Sequence, residues 1–245
     1  DLLQFALLIP IMKFFPSYNK GRKINGTFVC MKTKSELLLQ TYIENHIDDE
    51  PDLLKELRRQ AFLTLLHPRM LSGHTQGRIL KMFMQMIRPK HVVEIGTYTG
   101  YSALCIAEGL AEDALLDTIE INDELEDKIL KFFNASEHGK KIKLHIGDAV
   151  EVIKSLPYTI DAAFIDGNKR HYIAYYEACM EKLNSGGYLF ADNTLWDGHV
   201  IDDVVDKNDL QTIGILEFNQ MIKDDARVEK VILPIRDGIT IIRKL

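Results

Sequence analysis

From His91 onwards, short apolar runs alternate with longer amphipathic stretches. The apolar runs predict strands at His91–Ile95, Leu115–Ile119, Lys141–His145, Ile160–Ile165, Tyr188–Ala191, Val228–Leu233 and Gly238–Arg243. The amphipathic stretches predict helices at Tyr101–Leu110, Asp123–Ser136, Ala149–Leu156, Arg170–Leu183 and Leu210–Lys223. This alternation predicts an α/β fold, a mostly parallel sheet with helices on both faces. Only a short turn separates the last two runs, so we expect a hairpin and one antiparallel strand.

The part of the chain before His91 has helical rather than alternating spacing. Apolar residues recur at helix-like intervals from Ser35 to about Leu66, and Pro51 is placed to start a second helix there. The predicted organisation is an extension or poorly packed arm over residues 1–30 and a single domain over 31–245, with N-terminal helices over 31–88 and an α/β core over 89–245.

Composition narrows the class of protein. The chain has 245 residues, 46% of them hydrophobic and 27% charged, which is typical of a folded globular domain. A net charge of −6 argues against a general nucleic-acid binder. The three cysteines lack a paired spacing and predict free thiols in a reducing, cytoplasmic compartment. The apolar start DLLQFALLIPIMKFF is too short to span a membrane, and a segment lying on a membrane surface is the alternative to a simple extension.

A glycine-rich turn, EIGTYTGYS at residues 94–102, follows the first predicted strand. Ligands of open α/β sheets bind beyond the carboxyl ends of the strands. A dinucleotide site requires a second glycine where Tyr98 stands, so that a pyrophosphate can approach the backbone. A phosphate-loop motif is also missing from the sequence. The turn therefore predicts a site for a nucleoside without a pyrophosphate.

Glu120 ends the second predicted strand, twenty residues after Gly100. A carboxylate at this place can accept hydrogen bonds from both ribose hydroxyls. The alternative interpretation is a surface acid at a helix start, where the helix dipole favours it. The stretch Gly147-Asp148-Ala149, after the third strand, is either a contact to an adenine edge or a plain turn with a helix cap.

Oxygen-bearing side chains follow the next two strands. Asp166 follows the fourth strand, and Asp192 and Asn193 follow the fifth. If these strands are neighbours, the three side chains converge at one edge of the sheet. Two carboxylates and an amide suit a hard divalent cation, Mg²⁺ first, with Mn²⁺ or Ca²⁺ as alternatives. The simpler interpretation of Asp192-Asn193 is a turn, since both residue types favour turns.

Lys169, Arg170 and His171 stand at the start of the helix after Asp166, where the helix dipole favours acids instead. Local conflicts of this kind often mark functional residues. Lys169 is therefore a candidate general base. On spacing alone, a solvated lysine and arginine that balance the charge of Asp166 explain the pattern equally well.

With these residues in place, the chain from about Arg69 to its C-terminus resembles the cation-dependent O-methyltransferases that use S-adenosylmethionine (SAM). This is the group that contains catechol and caffeoyl-CoA O-methyltransferases, and the chain looks like a bacterial-type member. The resemblance rests on the ordered motifs MLSGHTQG, VVEIGTYTGYS, IEIN, GDA, FIDGNK, ADNTLWDG and LPIRDGITI. It implies the Rossmann-like SAM-methyltransferase fold with seven strands, one of them antiparallel, and a homodimer.

Carried over by position, the resemblance assigns roles to individual residues. It implies metal ligands at Asp166, Asp192 and Asn193, and catalytic roles for Lys169, as the base, and Asp166. Trp196 and Asp237 fall where family members line the acceptor pocket. The positions implied to contact SAM are Met70, Ser72, Glu94, Gly96, Thr97, Tyr98, Gly100, Ser102, Glu120, Ile121, Asp148, Ala149 and Asp166.

Two departures from the plant enzymes bear on the acceptor. Gly167-Asn168 replaces the central A-D of their D-A-D-K, and Ile201–Thr212 is acidic where they carry an Arg- and Tyr-rich segment for the CoA ester. We therefore expect the acceptor to be a small aromatic molecule with vicinal hydroxyls rather than a CoA thioester. One alternative is a hydroxyuridine in tRNA, for which the candidate contacts are Lys140, Lys141, Lys143, Lys169 and Arg170. A second alternative is a SAM-binding protein without activity.

Overall fold

The computed structural model describes residues 22–24, 27–29 and 34–245. Contacts within the chain divide it into two compact units, Asp1–Gln40 and Thr41–Leu245. In the first unit, strands β1 (Arg22–Ile24) and β2 (Thr27–Val29) pair in antiparallel orientation. Helix α1 (Lys34–Glu44) contains the boundary between the units. Most of the predicted arm over residues 1–30 lies outside the described residues, and the domain organisation stays a prediction.

A seven-stranded sheet forms the centre of the second unit. Its strands are β3 (His91–Ile95), β4 (Leu115–Glu120), β5 (Ile142–Ile146), β6 (Ile160–Ile165), β7 (Leu183–Ala191), β8 (Val228–Leu233) and β9 (Ile239–Lys244). Their order across the sheet is β5-β4-β3-β6-β7-β9-β8. Only β9 runs antiparallel to its neighbours in this sheet, and the other six strands run parallel to one another. The predicted fold class is confirmed.

Helices cover both faces of this sheet. They are α2 (Asp52–Thr64), α3 (His74–Ile87), α4 (Tyr101–Gly109), α5 (Glu126–Ala135), α6 (Ala149–Ser155), α7 (Tyr172–Lys182) and α8 (Leu210–Asp224). Val92 belongs to a core cluster with residues of α2 to α5, and Val93 to a second cluster with residues of α6 to α8. Both faces of β3 are thus buried, which explains why the adjacent residues Val92 and Val93 are both apolar. None of the helices among the described residues is long and apolar enough to cross a membrane.

Several predicted elements differ from the observed ones at their starts. Strands β5 and β9 begin one residue later than predicted, and α5 begins at Glu126, after a 3₁₀ turn over Asp123–Leu125. Strand β7 begins at Leu183 rather than Tyr188. Its extra residues include two glycines and accompany an irregular pairing with β6, whose register shifts between Ile160 and Ala162. The helix predicted from Arg170 begins as a 3₁₀ turn over Lys169–His171, and α7 proper starts at Tyr172. A tight first turn of this kind is common at helix starts.

The register of the sheet aligns the ends of four parallel strands. Ile95 of β3 pairs with Ile119 of β4 on one side and with Ile165 of β6 on the other. Ile165 in turn pairs with Ala191 of β7. The residues that follow these four therefore begin at the same level of the sheet edge.

Candidate active site

Four of the predicted site residues form a row along this edge: Glu120, Gly96, Asp166 and Asp192 each follow one of the aligned residues. The backbone amides of Gly96, Asp166 and Asp192 each donate to a carbonyl at the end of the neighbouring strand, all at 2.9 Å. The strand ladder therefore continues one residue further, and the side chains beyond it are held by ordinary sheet geometry.

The glycine turn after β3 is compact. Gly96 has a φ of +97° and Gly100 a φ of +85°, both in the region that glycine tolerates best. A Cβ on Gly96 would lie 2.4 Å from the carbonyl oxygen of Asp166, and one on Gly100 would lie 2.5 Å from the ring of Phe133. Tyr98 is also left-handed, with a φ of 51°. A side chain at either glycine would collide with a neighbouring group, so this shape of the turn requires glycine at both positions.

Glu120 is held in one orientation by the backbone. Its Oε2 accepts a hydrogen bond from the amide of Tyr98 at 2.7 Å, and its Oε1 accepts one from the amide of Asn122 at 2.9 Å. Each carboxylate oxygen can accept a further hydrogen bond. This arrangement suits a pair of ribose hydroxyls beside the glycine turn.

Glu94 lies fully buried at the base of the turn. The hydroxyl of Thr118 donates to its Oε2, while its Oε1 accepts no hydrogen bond from any described residue. Burial raises the pKa of Glu94 to about 8. Thr97 is also buried, and its hydroxyl bonds to that of Thr118 at 2.6 Å. Thr97 therefore stabilises the turn through its side chain.

The other predicted cofactor residues differ in exposure. Ser72 and Ser102 are buried, whereas Met70 is 60% and Ile121 is 72% exposed. Asp148 caps α6 by accepting from two backbone amides, at 2.9 and 3.2 Å. Ala149 packs in the core cluster beneath. The simpler interpretation of this stretch as a turn with a cap describes its hydrogen bonds, and a cofactor contact there stays a prediction.

Asp192 is buried and doubly held. Gln76 donates to its Oδ2 at 2.6 Å and the amide of Asn193 donates to its Oδ1 at 2.8 Å. Burial, and then the negative charge of Asp166, raise the pKa of Asp192 to about 6. The two carboxylates follow Ile165 and Ala191, which pair across β6 and β7, so both begin at the same level of the sheet edge.

The donor chemistry of these residues fits a hard divalent cation. Asp166 and Asp192 supply carboxylate oxygens at the ends of neighbouring strands, and each oxygen of Asp192 retains a lone pair. The side-chain nitrogen of Asn193 donates to Asp237 at 3.3 Å, which leaves Oδ1 as its cation-binding atom. In the described part of the chain, no group of three or more His, Cys, Asp or Glu side chains could hold a metal ion. A cation here would therefore depend on the amide of Asn193.

Lys169 is only 7% exposed, so it is not the solvated lysine of the simpler interpretation. Its Nζ donates to Asp166 Oδ1 and to the hydroxyl of Tyr172, both at 2.8 Å. The hydroxyl of Tyr172 lies 3.2 Å from the carbonyl oxygen of Ile165 and 3.0 Å from that of Asp192. Burial raises the pKa of Tyr172 well above its ordinary value. Tyr172 thus joins the candidate base to both strand ends.

The segment after Asn193 packs against the turn between β8 and β9. The backbone amides of Leu195 and Trp196 donate to the carbonyl of Asp237, at 2.7 and 3.2 Å. Trp196 is half-buried, and its indole nitrogen donates to Thr212 of α8 at 2.9 Å. Burial and the adjacent Asp237 carboxyl raise the pKa of Asp197 to about 6. Asp237 thus contacts the segment that holds Asn193 and Trp196.

The sequence analysis did not assign Gln76, Tyr172 or Arg236 to the site. Arg236 donates through Nη1 to the side chain of Gln76 at 2.8 Å and to the carbonyl of Leu71 at 3.2 Å. Gln76 and Arg236 lie inside the motifs MLSGHTQG and LPIRDGITI, so proximity to motif residues was the available signal. Tyr172 lies within the predicted helix Arg170–Leu183, and its ring packs in the core cluster with residues of α6 to α8.

Comparisons with known proteins agree with this geometry. A family model described as O-methyltransferase matches residues 44–245. Caffeoyl-CoA O-methyltransferase 2 of Zea mays is 33% identical over 225 residues, covering 86% of this chain and 84% of that protein. Caffeoyl-CoA O-methyltransferase 5 of Nicotiana tabacum is 32% identical over 225 residues, covering 86% of this chain and 92% of that protein.

Solved structures show the same fold. An SAH-bound methyltransferase of Podospora anserina superposes with a TM-score of 0.79 at 24% identity, covering 90% of this chain and 99% of that one. An O-methyltransferase of Streptomyces achromogenes in complex with SAM superposes with a TM-score of 0.80 at 22% identity, covering 87% of this chain and 99% of that one.

The sheet order, the site row and the family match define a SAM-dependent methyltransferase. The chain belongs to the O-methyltransferase family, and it is similar to caffeoyl-CoA O-methyltransferases over most of its length. The predicted family and enzyme class are therefore confirmed, and SAM is its cofactor. The roles of the individual site residues stay predictions.

Proposed function

We propose that this enzyme methylates one of two vicinal hydroxyls on a small aromatic acceptor, and that the reaction requires a divalent cation, Mg²⁺ first among them. The contact between Gly96 and Asp166 carries this proposal. Because a Cβ on Gly96 would lie 2.4 Å from the carbonyl oxygen of Asp166, the cofactor turn and the candidate cation ligand are packed together. A methyl donor on one side and an acceptor oxygen on the other would then meet in line.

The residues at this sheet edge would have different roles in the reaction. Asp166, Asp192 and Asn193 would hold the cation through their side-chain oxygens. When bound, the cation would lower the pKa of the acceptor hydroxyl and would bind both hydroxyl oxygens of the acceptor. Lys169 Nζ, beside Asp166, would take the hydroxyl proton. Asp237 and Trp196 would orient the aromatic ring at the acceptor side.

The acidic stretch after the candidate cation site supports a small acceptor. The curated relatives are named for caffeoyl-CoA, an ester whose CoA part carries several phosphates. In this chain the residues Asp202, Asp203, Asp206 and Asp209 occupy the corresponding segment, with Lys207 as its single Lys or Arg. Negative charge there would repel a polyanionic ester, while a free catechol ring carries no such charge.

The alternative of a tRNA acceptor is not favoured, because three of the five basic residues expected to contact RNA have acidic or backbone partners in the protein. Lys140 pairs with Glu112 at 2.8 Å. Lys141 is buried, and its Nζ donates to carbonyls at the end of α4. Lys169 is buried beside Asp166. The other two, Lys143 and Arg170, are exposed and make a small footprint for phosphates.

Methyl transfer from labelled SAM to a panel of catechols tests the proposal. We expect transfer with Mg²⁺, loss of transfer with excess chelator, and recovery when excess Mg²⁺ is restored. A panel of mono-hydroxylated analogues serves as the matched control and should accept little label. Transfer that persists in chelator would contradict the cation requirement, and equal transfer to the analogues would contradict the vicinal acceptor.

A homodimer and a cytoplasmic location complete the proposal. Phe62 and Leu63 on α2, and Met82 and Met86 on α3, are large apolar side chains exposed on this chain. The two described cysteines, Cys105 and Cys179, are buried free thiols, which suits a reducing compartment. Light scattering after size exclusion would report the mass of the particle, and a mass of one chain would contradict the dimer.

A further inference from the structure

Gln76 is a polar side chain in an unusual place. It is the third residue of α3, and it is 1% exposed. A buried amide must satisfy both its donor and its acceptor, because an unsatisfied polar group in the interior is destabilising. Both groups are satisfied here, and the partners lie on other elements, one after β7 and one in the β8–β9 turn.

The orientation of the amide is fixed by its partners. An ionised carboxylate only accepts hydrogen bonds and a guanidinium only donates them. The nitrogen of Gln76 therefore faces Asp192 Oδ2, at 2.6 Å, and its oxygen faces Arg236 Nη1, at 2.8 Å. If the amide turned over, its oxygen would face the Asp192 carboxylate and its nitrogen would face the Arg236 guanidinium, so neither hydrogen bond could form.

These contacts close a circuit around the candidate cation site. Gln76 bonds to Asp192, and the next residue, Asn193, donates to Asp237 Oδ2 at 3.3 Å. Asp237 follows Arg236, which returns to Gln76. Two of the three proposed cation ligands, Asp192 and Asn193, are thus held by side chains that lie far from them in sequence.

We propose that Gln76 is a positioning residue for the cation site. It holds the Asp192 carboxylate through Oδ2, while the backbone amide of Asn193 holds Oδ1, so that the carboxylate keeps one orientation. Arg236 keeps the amide of Gln76 from turning over. This inference rests on the proposed function, because it assumes that Asp192 binds a cation. Residues that orient metal ligands typically contribute about 10–100-fold to metal affinity.

Manganese binding measured by electron paramagnetic resonance tests the proposal on the full chain. The change is Gln76→Met, which keeps the length of the side chain and removes both hydrogen bonds. We expect the Kd for Mn²⁺ to rise by about 10-fold or more. The Kd for SAM, measured by calorimetry in chelator, should change by less than about threefold, because the glycine turn and Glu120 are untouched. A merely structural defect would weaken both.

A matched control and a second variant distinguish the positioning role from a general effect of substitution. Gln220 on α8 is exposed and donates to Asp224 in the same way, so Gln220→Met should leave both affinities unchanged. Arg236 is left-handed, with a φ of 52°, so Arg236→Gly suits the backbone and frees the amide of Gln76 to turn. We expect a smaller loss of Mn²⁺ affinity from Arg236→Gly, about threefold to tenfold.

The outcomes separate this inference from the function on which it rests. If the wild-type enzyme itself fails to bind Mn²⁺, the cation site is wrong and the role of Gln76 falls with it. If the wild type binds Mn²⁺ and both Gln76→Met and Arg236→Gly bind it equally well, only the positioning role is overturned. Should Gln76→Met not fold, Arg236→Gly alone decides, and unchanged Mn²⁺ affinity in that variant counts against the proposal.

Discussion

The candidate site has two sides that are built in different ways: the cofactor side, formed by the glycine turn and Glu120, and the proposed cation side, formed by Asp166, Asp192 and Asn193. On the cofactor side, the shape comes from nearby backbone: a glycine turn, and two amides that orient Glu120. On the cation side, Asp192 is held partly by a side chain far away in sequence. Gln76 and Asp192 are 116 residues apart, and Gln76 and Arg236 are 160 apart. The cofactor side is therefore the more local of the two, whereas the cation side depends more on contacts between distant parts of the chain.

The backbone shows the same contrast. Two of the three left-handed residues in the cofactor turn are glycines, which adopt this conformation without strain. On the cation and acceptor side, four of the six left-handed residues have side chains: Asn193, Trp196, Asp197 and Arg236. The other two are Gly198 and Gly238. Strained residues persist only where surrounding contacts hold them. The acceptor side is thus the more dependent on its neighbours.

The largest expected effect comes from breaking the cation side alone. Asp192→Ala should lower methyl transfer by about 1,000-fold or more, since it removes a proposed ligand at the reacting centre. The affinity for SAM should change by less than about threefold. Turnover with labelled SAM and calorimetry measure the two quantities. Asp113→Ala, at an exposed ion pair with Lys90, is the control. Parallel loss of SAM binding would contradict the division into two sides.

The reciprocal change breaks the cofactor side. Glu120→Gln should weaken SAM binding by about 10–100-fold, because an amide cannot accept from both backbone donors and the ribose together. Binding of Mn²⁺, followed by paramagnetic resonance, should stay as in the wild type. Glu124→Gln, at an exposed residue nearby, is the matched control. Equal affinity of the Glu120→Gln variant for SAM would argue against the ribose contact.

Two glycines with similar backbone angles measure how tightly the acceptor side is packed. Gly238 has a φ of +87° and Gly186 a φ of +80°, so alanine is strained at both. A Cβ on Gly238 would lie 2.8 Å from the backbone nitrogen of Leu195, whereas one on Gly186 would meet nothing closer than 3.8 Å. We expect Gly186→Ala to cost about 1 kcal/mol of unfolding free energy and Gly238→Ala about 3 kcal/mol. Urea unfolding compares them, and equal losses would mean that the contact with Leu195 relaxes freely.

The smallest expected effect concerns pH. The pKa of Glu94 is raised to about 8 in the fold, so between its unfolded pKa and that value the unfolded chain loses a proton that the folded chain keeps. Stability should therefore fall as pH rises across this window. Glu94→Gln should reduce the difference in unfolding free energy between pH 5 and pH 8 by about 1–3 kcal/mol. Denaturant unfolding at both pH values measures it, and identical pH dependence in the variant would refute the raised pKa.

Prediction from sequence succeeded where structure is local. The strands His91–Ile95, Ile160–Ile165 and Val228–Leu233 match their predicted bounds, because each ends in an apolar residue that a turn-forming residue follows, Gly96, Asp166 or Pro234. The glycine turn was recognisable because its glycines and their spacing lie within nine residues, although the groups that crowd them, Asp166 and Phe133, lie elsewhere in the chain. The start of β7 was missed because an irregular pairing with β6, invisible in the sequence, lengthens the strand.

The cation side was only partly predictable, for a physical reason. The strand-end rule brought Asp166 and Asp192 to one edge, and the register places them after paired residues. Nothing in the pattern of α3 could connect Gln76 to Asp192, because that contact depends on how the helix packs on the sheet. The location of Arg236 likewise depends on the β8–β9 turn reaching the same edge.

The place of β9 in the sheet has a consequence for the order in which the enzyme matures during synthesis. Of the seven strands, β9 is made last, yet it lies between β7 and β8 and is the only link between them. A growing chain that stops before Ile239 can already form the cofactor turn, but it leaves β7 as an open edge. The glycine turn is thus made before the last strand, and until β9 is added the open edge of β7 favours aggregation of the nascent chain.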